Sequence, residues 1–509
     1  MTDIRDPNLG RSANQLAVGT AFVLAGQVSF VLGGYLLHFY LSRAIDPVAY
    51  GTYGLIMNVL TWTESPLNSG LPWAVRKFLP ADPEAFNSIL RTGLRWQIVL
   101  GMVLCVATIV AAPWFTDAIR DSSLTFYLRL AFVDISLMAL YTLYRAALNG
   151  LRLFAAQGAS MAVYTVAKLA SSLLLVQLGY SLSGAIVGNA IGTLVGCLAA
   201  LWLLQRATGF TPRSIAMAGQ RFSQRYNGRT MLAFALPTVL FTLTTTFLTT
   251  MGLVAVKGLV RDGLQVAYYA AANYLAMAPT VLLVAFSFTL FPHLAGSIAA
   301  HDWPLTRTYI QSAVRLLALV LIPGTFLVLG TSAQIIPVLY PRDYAAAAPL
   351  LNLLLVSTGL HNLYMIFANA ILAEGRVFLA LSIPGALVPV SLLATWYLTG
   401  RWGPSGAATA AVLTTGLAAL AAAAYVLRRF AVRLPWGALV RITIASLVIC
   451  FVTRLYVPHG LLIVPYYLVL GLVYLVLLVL MREITLQDIG QWRADLLGAI
   501  LKWKVRTRA

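Results

Sequence analysis

Three ionisable side chains stand where hydrocarbon is expected. Glu64, Asp134 and Lys168 each lie inside a long apolar block. A lone charge taken out of water costs several kcal/mol, so ionisable residues inside a membrane need partners and mark function. A pair of carboxylates can carry a proton or hold a cation. An ammonium can neutralise one of them or meet an anion. The chain has 16 Asp and Glu residues, and of these only Glu64 and Asp134 lie deep in apolar blocks, as Lys168 does among the lysines. At a helical rise of about 1.5 Å per residue, Lys168 and Glu64 sit about 15 Å deep, with Asp134 about 5 Å further out. The three are therefore expected to meet near the membrane midplane. Three readings stay open: a structural ion pair, a proton or coupling-ion site at Glu64 and Asp134, or contact of Lys168 or Arg145 with a substrate phosphate.

Helical spacing gives these residues neighbours. Asp134, Tyr141 and Arg145 share one face, as do Gln157, Tyr164, Lys168 and Ser171. Later in the chain the stripes are uncharged: Thr238, Thr242, Thr245 and Thr249, then Thr358, Asn362 and Asn369. Hydroxyls and amides suit a lining that handles sugar hydroxyls. Threonines in membrane helices also bond back to their own backbone or glue helices together. No catalytic constellation appears. His38, His293, His301, His361 and His459 are scattered without metal-ligand spacing, and no phosphate-cradling glycine loop is present. No enzyme, cofactor or metal site is expected.

The elements that must hold these residues are membrane helices. Of 509 residues, 60% are hydrophobic and 10% charged. No soluble domain of this length has that balance. A span needs about 20 apolar residues. Such blocks recur about fourteen times, near 16–42, 49–74, 92–112, 124–147, 158–179, 182–206, 230–257, 264–292, 309–331, 345–372, 377–399, 405–429, 438–457 and 461–481. The second and eighth are the least regular. Cys105, Cys197 and Cys450 lie singly in apolar segments and read as small core residues. The polar N-terminus shows no cleavage signal, so the first span reads as a retained anchor.

Basic residues orient the chain. One set of alternating connections carries only Arg43, Arg120, Arg129, Lys257, Arg261, Arg342, Arg401 and Arg454 out of 35 Lys and Arg; apart from Lys168, the rest fall on the other side. The positive-inside rule puts the richer side and both termini in the cytoplasm. A basic face against anionic lipid accounts for the net charge of +19 without nucleic acid. Residues 487–508 read as an interfacial helix, with Ile489, Trp492, Leu496 and Ile500 as its apolar stripe and a basic end.

The chain also resembles itself. LYTLYRAALNGLRLF (140–154) parallels LYMIFANAILAEGRVF (363–378), SGA recurs at 183–185 and 405–407, and VAY at 48–50 and 266–268. An offset of six spans preserves orientation. The expected fold is all-α and polytopic, with two six-helix lobes related by a parallel internal repeat and two extra C-terminal helices. The expected divisions are an N-terminal lobe (1–206), a basic linker (207–229), a C-terminal lobe (230–430) and the added helices with their tail (431–509). Two lobes facing each other suit a transporter working by alternating access.

LSRAIDPVAYGTYGLIMNVL (41–60) and LNSGLPWAVRKFLP (67–80) resemble the opening of polysaccharide flippases of the multidrug/oligosaccharidyl-lipid/polysaccharide (MOP) exporter superfamily, through Tyr50, Gly51, Tyr53, Gly54, Gly70, Leu71 and Arg76. ALPTVL (235–240), VAYYAAANYL (266–275), LFPHLA (290–295) and VLYPRDYAAAAPLL (338–351) extend the resemblance over nearly the whole chain. It implies movement of a polyprenyl-diphosphate-linked oligosaccharide across the bacterial inner membrane for O-antigen or exopolysaccharide export. It also implies a cationic path for the diphosphate, here offered by Lys168 and Arg145, with H+ or Na+ as coupling ion and a polysaccharide polymerase as candidate partners. A lipid II-type flippase and a cation-coupled drug antiporter of the same superfamily are the alternatives.

Overall fold

A computed structural model of the chain describes residues 7–210, 228–458 and 460–483. The expected interfacial helix at 487–508 and most of the 207–229 linker lie outside the described residues. Seventeen α-helices follow one another: α1 (Pro7–Ala44), α2 (Pro47–Ser69), α3 (Leu71–Ala81), α4 (Phe86–Ala118), α5 (Leu124–Phe132), α6 (Asp134–Gly150), α7 (Phe154–Leu175), α8 (Ser181–Thr208), α9 (Gly228–Val260), α10 (Gly263–Ala276), α11 (Thr280–Ala299), α12 (Trp303–Leu339), α13 (Ala348–Ala373), α14 (Val377–Trp402), α15 (Pro404–Arg429), α16 (Trp436–Leu455) and α17 (Ile463–Leu480). There is no strand among the described residues. Eleven stretches are long and apolar enough to cross a membrane, and one of these, 154–208, holds both α7 and α8. Adding the interrupted spans α2–α3 and α10–α11 gives fourteen crossings. These two are the spans expected from the sequence to be irregular. We call the side on which α1 begins the near side and the opposite one the far side.

The break between α2 and α3 falls at Gly70, whose backbone (φ −80°, ψ −105°) leaves the helical region. A Cβ there would lie 2.7 Å from the Pro66 carbonyl oxygen, so only glycine fits. A broken helix in hydrocarbon must find new partners for its freed carbonyls. Gln97 of α4 donates its Nε2 to the Leu67 carbonyl at 2.9 Å, and Thr142 of α6 reaches the same oxygen at 3.4 Å. Thr238 of α9 donates to the Ser69 carbonyl at 2.9 Å. In the eighth span, Pro279 ends the first piece and α11 starts at Thr280.

Helices pack chiefly within α1–α8 and within α9–α17, and α2 joins the two groups by lying against both α9 and α10. The tightest approach in the first group is α7 on α8. The two join through a π-helical turn, Val176–Tyr180, with Gly179 at φ 93°. Gly184, Gly188, Gly192 and Gly196 then recur every fourth residue of α8. A Cβ at Gly192 would lie 2.5 Å from Lys168 Cβ, and one at Gly196 2.7 Å from Tyr164 Cβ. This small-residue stripe lets the two backbones nearly touch. The last two helices pack on α12 and on each other. The buried Glu483 carboxylate fastens them, accepting from Arg315 of α12 at 2.7 Å and Arg441 of α16 at 2.9 Å.

The turns after α6 and α13, and those into α8 and α15, fall at comparable places in the chain. The left-handed turn residue after α6 is Arg152 (φ 59°), and the matching one after α13 is Gly375 (φ 83°). The structure thus pairs Arg152 with Gly375, one residue from the Arg376 that the sequence match suggests. Ser181 (φ 42°) and Gly403 (φ 58°) likewise begin the turns into α8 and α15.

Because Gly192 has no space for a side chain, Gly192→Val is expected to destabilise the protein by about 1–3 kcal/mol through overpacking. A thermal melt of the purified protein in detergent checks this, and an unchanged melting temperature would contradict the packing described.

Candidate functional site

The α7–α8 contact determines where Lys168 stands. With its Cβ pressed against Gly192, the side chain leaves the helix pair half-buried. Its ammonium lies 6.0 Å from the centre of the Tyr164 ring. Tyr164 stacks on Tyr141 of α6 (5.3 Å between centroids, 13° between planes) and on Phe30 of α1 (5.7 Å). The aromatic column therefore fixes the distance between α6 and α7 and hence between their polar residues.

Asp134 opens α6 and is 1% exposed. Its Oδ2 accepts from Asn189 Nδ2 of α8 at 2.6 Å, while Oδ1 has no partner among the described residues. Glu64 of α2 is 7% exposed, and its Oε1 is likewise unpartnered. Lys168, Glu64 and Asp134 are close enough for their charges to interact, and His38 of α1 lies within reach of Lys168. The structure thus brings together the three deep charges. It shows no direct ion pair of Lys168 with either carboxylate among the described residues; Asp134 is held by an amide instead.

Arg145 lies about three turns beyond Asp134 on α6, half-buried, its guanidinium 5.5 Å from the centre of the Tyr141 ring. Arg76 of α3 is also half-buried and within electrostatic reach of Arg145. The Nε of each is buried without a partner. Two guanidiniums within electrostatic reach of each other, each with a donor to spare, have the chemistry that a doubly charged oxyanion calls for.

The second helix group carries no charge at its polar positions. Thr242 donates to the Thr238 carbonyl at 2.9 Å, Thr245 to Phe241 at 2.8 Å and Thr249 to Thr246 at 3.0 Å. Their donors are spent on their own helix, so they offer a neighbour only acceptor lone pairs. Asn362 is fully buried, and neither its Oδ1 nor its Nδ2 finds a partner among the described residues. Asn369 is half-buried, two turns further along α13.

Three residues of the site escape a reading by sequence. Arg76 counts there as a loop charge, yet α3 returns it to the site. Asn189 is one amide in an apolar run, though it sits beside the glycine stripe that presses α8 onto α7. His38 looks isolated until α1 is docked.

At the far-side rim, Lys257 near the end of α9 pairs with Asp121 of the α4–α5 turn at 2.7 Å. Partial burial pushes the Asp121 carboxyl up, but hydrogen bonds from Lys257 and Ser123 outweigh it and hold it below its usual value.

Comparison with known proteins places this arrangement. The lipid II flippase MurJ, in an inward closed conformation, superposes with a TM-score of 0.71 at 14% identity, over 91% of this chain and 99% of its own. An inward-facing multidrug resistance MATE family transporter of the MOP superfamily gives 0.63 at 14%, over 78% and 94%. A MOP superfamily transporter from Pyrococcus furiosus Vc1 (DSM3638) gives 0.60 at 13%, over 81% and 96%. The fold is that of the MOP transporters. No curated protein sequence matches the chain. The model of the polysaccharide biosynthesis protein family matches residues 16–297, more than half of the chain, and the chain belongs to that family.

Two outcomes test the site's construction. Asn189→Ala removes the partner of a buried carboxylate oxygen and should destabilise the protein by about 1–3 kcal/mol, read as a lower melting temperature. The Asp121–Lys257 pair, formed by a carboxyl held low, contributes above the usual carboxylate range and loses its contribution as pH falls below it. Asp121→Asn should therefore lower stability by less than about 1 kcal/mol at pH 7. The variant and the parent should converge as pH falls through and below the usual carboxylate range. A constant difference across pH would contradict the pairing.

Proposed function

We propose that the protein is a flippase that carries a polyprenyl-diphosphate-linked oligosaccharide across the bacterial inner membrane for O-antigen or exopolysaccharide export. The near side is then cytoplasmic, with both termini there, and the transport cycle alternates access between the α1–α8 and α9–α17 groups. No bond is made or broken in the cargo, so this is transport and not enzymatic catalysis. The observation that carries the reading is the pairing of Arg76 and Arg145, each with a buried, unpartnered Nε, in a chain of the polysaccharide biosynthesis family. A diphosphate crosses hydrocarbon poorly because its charge must be desolvated, and fixed guanidiniums replace the lost water. Lys168 is the next cation inward and gives the headgroup a second foothold past the midplane. The amides of Asn362 and Asn369 and the lone pairs of Thr242, Thr245 and Thr249 offer hydrogen bonds to sugar hydroxyls. Glu64 and Asp134, each with an oxygen to spare, serve as the site for H+ or Na+ when the cycle resets. Anionic lipid at the basic near face and a polysaccharide polymerase complete the proposed partners.

In a strain lacking the gene, plasmid-borne protein should restore surface polysaccharide. Arg76→Ala and Arg145→Ala are expected to lower that restoration at least tenfold at normal protein level, with lipid-linked oligosaccharide trapped in the cytoplasmic leaflet. Lys168→Ala should abolish export without loss of protein. Surface polymer at parental level in all three variants would refute the cationic path. Parental glycan in the deletion strain itself would point to the antiporter instead, to be checked by drug efflux. Arrested cell-wall synthesis would point to lipid II.

A further inference from the structure

On the far side the two helix groups are tied across their seam at several levels. At the rim, the Lys257–Asp121 pair joins α9 to the α4–α5 turn. Arg43, the last basic residue of α1, donates to the carbonyls of Leu339 at 2.6 Å and Val338 at 3.1 Å, capping the C-terminus of α12. Below the rim lies a block of aromatic rings drawn from both groups. Phe39 meets Tyr340 edge-on at 5.4 Å, and Tyr50 meets Tyr344 at 5.8 Å. At the bottom, the His38 ring lies on the Tyr274 ring with 3.6 Å between centroids, and His38 Nδ1 is 3.3 Å from the Tyr50 hydroxyl. Tyr35 donates to the Tyr274 carbonyl at 3.1 Å, where α10 is about to break. His38 is 8% exposed and is also the ring within electrostatic reach of Lys168. With Tyr53, whose ring lies 5.7 Å from it and which is within electrostatic reach of Asp134, it connects the aromatic block to the charged cluster.

We propose that the far-side seam is a two-tier gate, an ionic rim above an aromatic plug, and that His38 is the positioning residue linking the plug to the Lys168 cluster. The rim ties are one partly exposed ion pair and one exposed guanidinium on helix-end carbonyls, so each is weak and breaks readily. The plug is a desolvated ring stack, and it opens as a unit because separating His38 from Tyr274 also uncovers Tyr50 and Tyr53. The charged cluster meets the plug at His38, within reach of Lys168, and at Tyr53, within reach of Asp134. This inference rests on the chain being a transporter and on no particular cargo.

A disulfide across the seam tests it. A Cβ on Gly263 would lie 3.2 Å from Val48 Cβ, so Val48→Cys with Gly263→Cys, in a background with Cys105, Cys197 and Cys450 replaced by Ala, sits close to disulfide range. Mild oxidation should close this bridge in the resting protein and arrest export, and reduction should restore it. Lys257→Glu should slow bridge formation roughly tenfold by setting two like charges together. Adding Asp121→Lys to it should recover the rate. His38→Ala should slow bridging as well, whereas His38→Phe, which keeps the stack, should bridge at the parental rate yet export poorly. Bridging rates unchanged by Lys257→Glu and His38→Ala, or export that continues with the bridge closed, would overturn the gate. The bridging rate needs no substrate, so these outcomes stay readable even if the cargo is not a lipid-linked glycan. The charge swap controls for misfolding, since a protein that bridges again has folded.

Discussion

A backbone group inside hydrocarbon has no water to turn to, and much of this molecule is arranged to satisfy that constraint. It explains why the described chain is helical throughout its spans. It also explains why the break at Gly70 is surrounded by side chains from three other helices, Gln97, Thr142 and Thr238, each aimed at the freed carbonyls. A break is costly unless patched, so it marks a place where a straight helix would not do. Here it turns α3 so that Arg76 comes back toward Arg145. The same constraint governs the threonines of α9, whose hydroxyls bond to their own helix before they offer anything to a neighbour.

Much of this was legible before any coordinates. Apolar blocks of sufficient length give the spans, because hydrocarbon thickness sets a length that composition alone reveals. The irregular second and eighth spans carry their signal in Pro66, Gly70 and Pro279. Deep charges are easy to find, because so few residues of that kind lie far from the ends of the blocks. Partners are harder. Nothing in the run around Asn189 says which carboxylate it will reach, since that depends on how far α8 slides along α7. The sliding is fixed by Gly184, Gly188, Gly192 and Gly196, and the spacing of four is visible in the sequence once its meaning is known. Arg76 was hidden for a different reason: a basic residue near a span end looks like a loop charge until the helix is seen to break above it.

The two helix groups divide the work unequally. The first holds the deep charged cluster of Glu64, Asp134 and Lys168, the aromatic column and the tight α7–α8 pair. The second holds the neutral amides and hydroxyls, together with Asn362, which is buried and unpartnered. The proposed cargo, with an anionic head and a neutral sugar chain, has two chemistries to be matched, and the groups differ along that line.

The pattern Tyr50, Gly51, Tyr53, Gly54 has a mechanical consequence. Both tyrosines are fully buried, whereas a Cβ on Gly51 would lie 2.7 Å from the Ala267 nitrogen and one on Gly54 2.8 Å from Ala270 Cβ. Along this line the α2 and α10 backbones come closest at glycines and alanines, with the Tyr274 ring and the Val48 side chain seated on the facing Gly54 and Gly263. Such a surface behaves like a smooth bearing: one helix can roll on its neighbour with few knobs to lift out of holes. In the proposed transport cycle, the α2–α10 contact at Gly51 and Gly54 is a part of the seam with little side-chain bulk to unpack.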